Sequence, residues 1–193
     1  MDINIENQKE KFKNHIATLT DCGNTKILDF TNPHSNEYHI RFIFEEDYYR
    51  LHISGDLGEL SACNYYNMTY EKFSDFMNNT GYFREKVECC SRPLVYYDIE
   101  SAKEELKEYL IEHGIMDDTN SAEGEEAFGE LVDEVFYDFS ENTGISYAGY
   151  EALKDIDSDV FEDVYDLGKK YTPILDVYLL AFRLAKEQLD NKE

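Results

Sequence analysis

Residues 38–63 read YHIRFIFEEDYYRLHISGDLGELSAC, and the alternation inside this stretch decides the fold. Tyr38, Ile40, Phe42 and Phe44 alternate with His39, Arg41, Ile43 and Glu45. After the polar turn at Glu46 and Asp47, Tyr49, Leu51 and Ile53 alternate with Arg50, His52 and Ser54. Past Gly55-Asp56-Leu57-Gly58, Leu60 and Ala62 alternate with Ser61 and Cys63. Side chains of an extended chain point to opposite faces at every step, so period-two runs separated by turn residues predict an antiparallel meander. One face is apolar and must be covered; the other carries His39, Arg41, Arg50, His52 and Cys63.

Outward from the meander the period changes. Phe12, Ile16 and Leu19 recur at helical spacing and predict a helix over 6–19, with Gly23-Asn24 as its exit and a strand over 25–30. Tyr70, Phe73, Phe76 and Met77 predict a helix over 69–78, and Leu94–Tyr97 predicts another strand. Ser101-Ala102-Lys103-Glu104 fits a capping box and opens a helix that runs to His113 and stops at Gly114. A polar hinge follows at 114–125. Phe128, Leu131, Val132, Val135, Phe136 and Phe139 stripe a helix over 121–139, and 146–167 reads as one broken or two short helices. Thr172-Pro173 starts a last helix that reaches about Leu189. The expected fold class is α+β: a helix and an antiparallel sheet in a 1–97 lobe, then an acidic, mainly helical 98–193 lobe, with the two able to form one integrated domain.

Composition narrows the function classes. Of 193 residues, 42 are acidic and 18 basic, a formal charge of −24. That sign argues against direct binding to nucleic acid or to an anionic membrane, and it favours a basic protein partner. Residues 1–13 are polar and charged with no apolar run behind them, and no stretch is apolar enough for a membrane span, so a cytoplasmic location is expected. Cys22, Cys63, Cys89 and Cys90 form no CxxC pair and are expected to be reduced thiols.

The charge is concentrated. Residues 1–97 hold 15 acidic and 10 basic side chains, residues 98–166 hold 23 and 3, and residues 167–193 hold 4 and 5. On the 121–139 helix Glu123, Glu126, Glu130, Asp133, Glu134 and Asp138 lie off the apolar stripe, and that helix has no Lys or Arg. Like charges at helical spacing cost a helix a few tenths of a kcal/mol per pair, so a merely solvated face usually mixes in lysine. Rows of carboxylates present charge much as a phosphate backbone does, and a basic nucleic-acid groove accepts such a surface as a decoy. The expected contacts are those six acids with Asp155, Asp159, Glu162 and Asp163, anchored by Tyr137, Tyr147, Tyr150 and Tyr165. The competing reading is an acidic face that serves solubility alone.

Other motifs carry less. Asp155-x-Asp157-x-Asp159 starts like a calcium loop, but the sixth and twelfth positions are Val160 and Asp166 where Gly and Glu belong. His15, His34, His39, His52 and His113 form no HxxxH or HExxH pattern, so no metal or other cofactor is expected. There is no nucleophile elbow and no phosphate-binding glycine loop, so no enzyme is expected. Arg41, Arg50 and His52 on the polar sheet face are the alternative site, for a small anion or a nucleotide.

Leu51-His52-Ile53-Ser54-Gly55-Asp56-Leu57-Gly58 and the run from Asp157 through Tyr178 to Glu187-Gln188-Leu189 resemble uncharacterised proteins of phages and prophages of Gram-positive bacteria. By analogy with small acidic phage proteins, the resemblance implies an anti-defence inhibitor of the anti-CRISPR or DNA-mimic kind, acting in the host cytoplasm on a nucleic-acid-binding defence nuclease such as an RNA-guided effector. A structural or accessory phage protein is the other role it implies.

Overall fold

The computed structural model describes residues 5–35, 37–116, 122–156 and 164–191; for Ile5, Glu6, Ala122 and Glu123 it describes the backbone alone. The described chain is α+β and divides into two units, residues 1–94 with 173–193, and residues 95–172. The expected boundary at 97/98 therefore lies three residues earlier, and the last helix belongs with the sheet rather than with the acidic helices.

In the first unit, α1 (Ile5–Phe12) leads into β1 (Ile16–Asp21), β2 (Thr25–Thr31), β3 (Ile40–Glu45), β4 (Arg50–Gly55), β5 (Leu60–Cys63) and β6 (Val87–Cys90). Each strand pairs antiparallel with the next, in the order β1 to β6. Register keeps one face apolar: Phe42 faces Leu28 and Ile53, Phe44 faces Leu51, and Leu51 faces Ala62. Every one of these side chains is buried. A helix over 174–190 covers this face. It carries buried Leu175, Val177, Tyr178, Leu179, Leu180, Ala181, Phe182 and Ala185, apolar groups on nearly all its sides, which only a core position accommodates. The ring of Phe182 lies 5.7 Å from Phe42, 5.8 Å from Phe44 and 4.8 Å from Phe73. That need for cover explains why the chain returns to the sheet after residue 172.

Three expectations change here. The helix expected over 6–19 ends at Phe12, and residues 16–21 form β1, paired from Ile16↔Thr31 to Asp21↔Lys26. Tertiary pairing overrides the helical spacing: β-branched Ile16, Thr18 and Thr20 suit a strand, and Ile16 is 47% exposed instead of lying on a buried stripe. Gly23-Asn24, read as a helix exit, is the hairpin turn; Gly23 has φ 75 and its N–H donates to Asp21 Oδ1 at 2.8 Å. The helix expected over 69–78 is a short 3₁₀ turn, Phe73–Phe76, followed by α2 (Thr80–Arg84). Tyr70, Phe73 and Phe76 recur every three residues, the period of a 3₁₀ turn rather than of an α-helix. Strand β6 was not expected. It joins β5 through a register shift at Ser61/Ala62, and its Val-Glu-Cys-Cys sequence shows no clean alternation.

The second unit begins and ends in a two-stranded ladder, β7 (Val95–Tyr97) with β8 (Lys169–Tyr171), which ties its first residues to its last. Between them lie α3 (Ile99–Glu112), α4 (Ala122–Val135) and α5 (Tyr147–Ile156); the 174–190 helix is α6. The core of this unit is Ala102, Leu106, Tyr109, Leu110, Val135, Phe136, Ile145, Leu153, Val164 and Leu167. Helix α3 is capped by Asp98, whose carboxylate accepts the Ser101 N–H at 2.8 Å, three residues before the expected cap. That hydrogen bond, with the Ser101 hydroxyl, holds the Asp98 carboxyl below its ordinary value. The cap expected at Thr172 falls on Pro173, without a side-chain bond. The expected hinge at 114–125 falls partly outside the described residues.

Candidate partner-binding surface

Residues 95–172 hold 23 acidic and 5 basic side chains, and the first unit holds 19 and 13, so the second unit carries −18 of the −24. Its acids divide into those with an internal task and those without one. Asp98 caps α3. Glu105 accepts the Gly168 N–H at 2.6 Å and pairs with Lys170 at 3.4 Å. Glu100 holds Lys103 at 3.1 Å, Glu151 holds Lys154 at 3.8 Å and Asp166 holds Lys169 at 2.8 Å. Lys107 lies 5.8 Å over the ring of Phe128. All five lysines are thus committed.

Helix α4 is the opposite case. Phe128, Leu131 and Val132 pack against the unit's core, into which Val135 is fully buried. That orientation leaves Glu125, Glu126, Glu130, Asp133 and Glu134 exposed, and among the described residues none of them is ion-paired. With Glu123, six carboxylates occupy 14 residues. At ~1.5 Å per residue this is about one charge per ~3.5 Å, close to the ~3.4 Å per phosphate along one strand of DNA. Neighbours at i and i+4 are ~6 Å apart, inside the ~8 Å screening length of physiological salt, so their fields add.

Several expected residues sit elsewhere. The helix ends at Val135, so Tyr137 and Asp138 lie in the turn beyond it; both are exposed, Tyr137 by 85%. Tyr147, at the start of α5, is 77% exposed. Tyr150 is half-buried: its hydroxyl donates to the Tyr165 carbonyl at 3.1 Å and its ring stacks on Tyr165 at 5.7 Å. Burial, with the neighbouring Tyr165, Tyr97 and Asp166, pushes the Tyr150 hydroxyl up to about 12. Its described role is internal, and Tyr165 offers the exposed ring of the pair. Asp155 is exposed at the end of α5. Asp159, Glu162 and Asp163 lie outside the described residues, as does most of the calcium-like run. Among the described residues no group of three His, Cys, Asp or Glu is placed to hold a metal ion.

The polar sheet face gives the alternative site little support. Arg41 donates to both oxygens of Asp29, at 2.7 and 3.2 Å, and His39 lies 3.7 Å from the same carboxylate. Arg50 pairs with Glu88 at 3.3 Å, and His52 Nε2 lies 3.1 Å from Glu45. A hollow of about 340 Å³ lies beside His52, Ser54, Ser61, Cys89 and Ser91. Neither Arg41 nor Arg50 lines it, and the one carboxylate in its lining is Glu59.

One aromatic surface escaped sequence reasoning. Tyr48 and Tyr65 are 72% and 92% exposed, and Tyr66 is 58% exposed. They sit on two adjacent loops tied by the Asn64 N–H donating to the Tyr49 carbonyl at 3.1 Å. Asn64 and Asn67 are buried and hydrogen-bonded to each other beneath them. The signal was the Tyr-Tyr pairs 48–49 and 65–66; the alternation placed Tyr49 in the apolar row with Leu51 and Ile53, but it lies in the turn before β4 with φ 50 and is 39% exposed.

Compared with protein-family models, with curated proteins and with solved structures, the chain matches none. No helix among the described residues is long and apolar enough to cross a membrane.

Proposed function

We propose that this chain is a non-enzymatic acidic binding protein whose 95–172 unit occupies the basic, nucleic-acid-binding surface of a protein partner. In the phage setting that residues 51–58 and 157–189 resemble, the partner is a host defence nuclease such as an RNA-guided effector. Inhibition follows by occlusion of its groove in the host cytoplasm. The observation that carries the reading is α4: six carboxylates at nearly phosphate spacing, no basic residue, and no internal partner for those whose side chains are described. A helix that keeps like charges adjacent gives up stability, which a role in recognition explains and solubility alone does not. The field would speed association and make the complex salt-sensitive.

The test is the quadruple reversal of Glu126, Glu130, Asp133 and Glu134 to Lys, assayed for inhibition of nucleic-acid cleavage by the partner nuclease. All four side chains are exposed, so the variant is expected to keep its fold by circular dichroism and to lose inhibition. A folded quadruple variant that inhibits as well as the native protein would refute the charge mechanism.

A further inference from the structure

Helices α3 and α4 leave a cleft between them. Ile99, Val132 and Phe136 form its floor, and Lys103, Asp133 and Tyr137 form its rim, around a volume of about 400 Å³. Phe136 is 6% exposed and fixes the floor, while Tyr137 stands 85% exposed beside it. Lys103 is held by Glu100 at 3.1 Å, which leaves Asp133 as the uncompensated charge on the rim. The volume falls within the ~300–1,000 Å³ of ordinary small-ligand sites.

An apolar floor, one unpaired carboxylate and one exposed aromatic ring together match a single kind of side chain. It has an apolar stem and a planar cationic head. We propose that the cleft captures an arginine of the basic partner, with its methylenes on Val132 and Phe136, its guanidinium stacked on Tyr137, and Asp133 accepting its hydrogen bonds. The proposal rests on the acidic-surface reading above and names the group that surface selects. Charge complementarity fixes the sign of the occupant, because the unit's −18 field repels any acid that Lys103 would otherwise attract. Arginine is favoured over lysine for two reasons. Its planar head can stack on a ring and bond a carboxylate at once, and it is more weakly hydrated, so it enters a half-apolar cleft at lower cost.

The experiment titrates the full chain with oligo-arginine and oligo-lysine peptides of equal length at low salt. Native protein is expected to bind the arginine peptide about fivefold to tenfold more tightly. Tyr137→Ala is expected to bring that ratio close to one, and Tyr137→Phe to keep most of it, since the ring supplies the stacking. Lys103→Met, which removes the competing cation, is expected to raise the ratio. Equal affinity for the two peptides in the native protein, or an unchanged ratio in Tyr137→Ala, would overturn the arginine cleft and leave the acidic surface standing. No binding of either peptide would overturn both.

Discussion

His15 is the titratable member of the buried polar set in the first unit, 3% exposed. The rings of Phe12 and Phe30 each lie 5.1 Å away, and its Nε2 sits 3.1 Å from the Tyr38 carbonyl. Burial pulls its pKa below the ordinary 6.5; hydrogen bonds to the Tyr38 and Glu37 backbone oppose this and His39 adds to it. In the folded chain the imidazole stays neutral as pH falls below 6.5, while in the unfolded chain it takes up a proton. The stability it supports is therefore complete above that value and declines below it. The urea midpoint is expected to fall between about pH 7.5 and 5.5. In His15→Leu that part of the decline is expected to disappear, at the cost of the Tyr38 bond. A native midpoint that holds steady across this range would contradict the assignment. No residue pattern announced this site. The spacing of Phe12, Ile16 and Leu19 suggested a helix through His15, and only the strand at Ile16 turns the imidazole inward.

Among the elements, α4 would, on the proposed function, couple stability to binding in opposite directions. Glu130→Lys removes like-charge neighbours at Glu126 and Glu134 and adds two opposite pairs at i and i+4. It is expected to stabilise the protein by roughly 0.5–1 kcal/mol at low salt, read by thermal unfolding. The same substitution is expected to weaken binding to a basic partner. If it improved both, the carboxylates would have no part in recognition. The face itself was legible in the sequence, because Phe128, Leu131, Val132 and Val135 keep the helical period and no lysine interrupts the acids. Other parts were not legible. Tyr150 looked like a free anchor because its partner Tyr165 is distant in sequence. The arginine cleft needs Ile99 from α3 beside Val132 from α4, a juxtaposition that exists only after packing. Strands β3 to β5 were readable from alternation alone, whereas the shifted pairing at Ser61/Ala62 hid β6.

At the scale of the whole molecule, the chain separates packing from charge. The first unit buries its phenylalanines in the core of a sheet sealed by α6, and its sheet-face arginines pair with carboxylates. The second unit, inserted between Leu94 and Pro173 and tied by the β7–β8 ladder, carries three quarters of the net charge. A composition shift near residue 98 was visible in the sequence. The return of α6 was not, since an apolar helix does not say which surface will cover it. We propose that this charge imitates nucleic acid. The direct measurement is retention of purified RNA-guided nucleases on the immobilised chain, with duplex DNA or salt as competitor. Retention at low salt and release by either DNA or high salt are expected, with a linear dependence of log affinity on log salt. Retention that neither DNA nor salt disturbs, or no retention of any such nuclease at low salt, would contradict it.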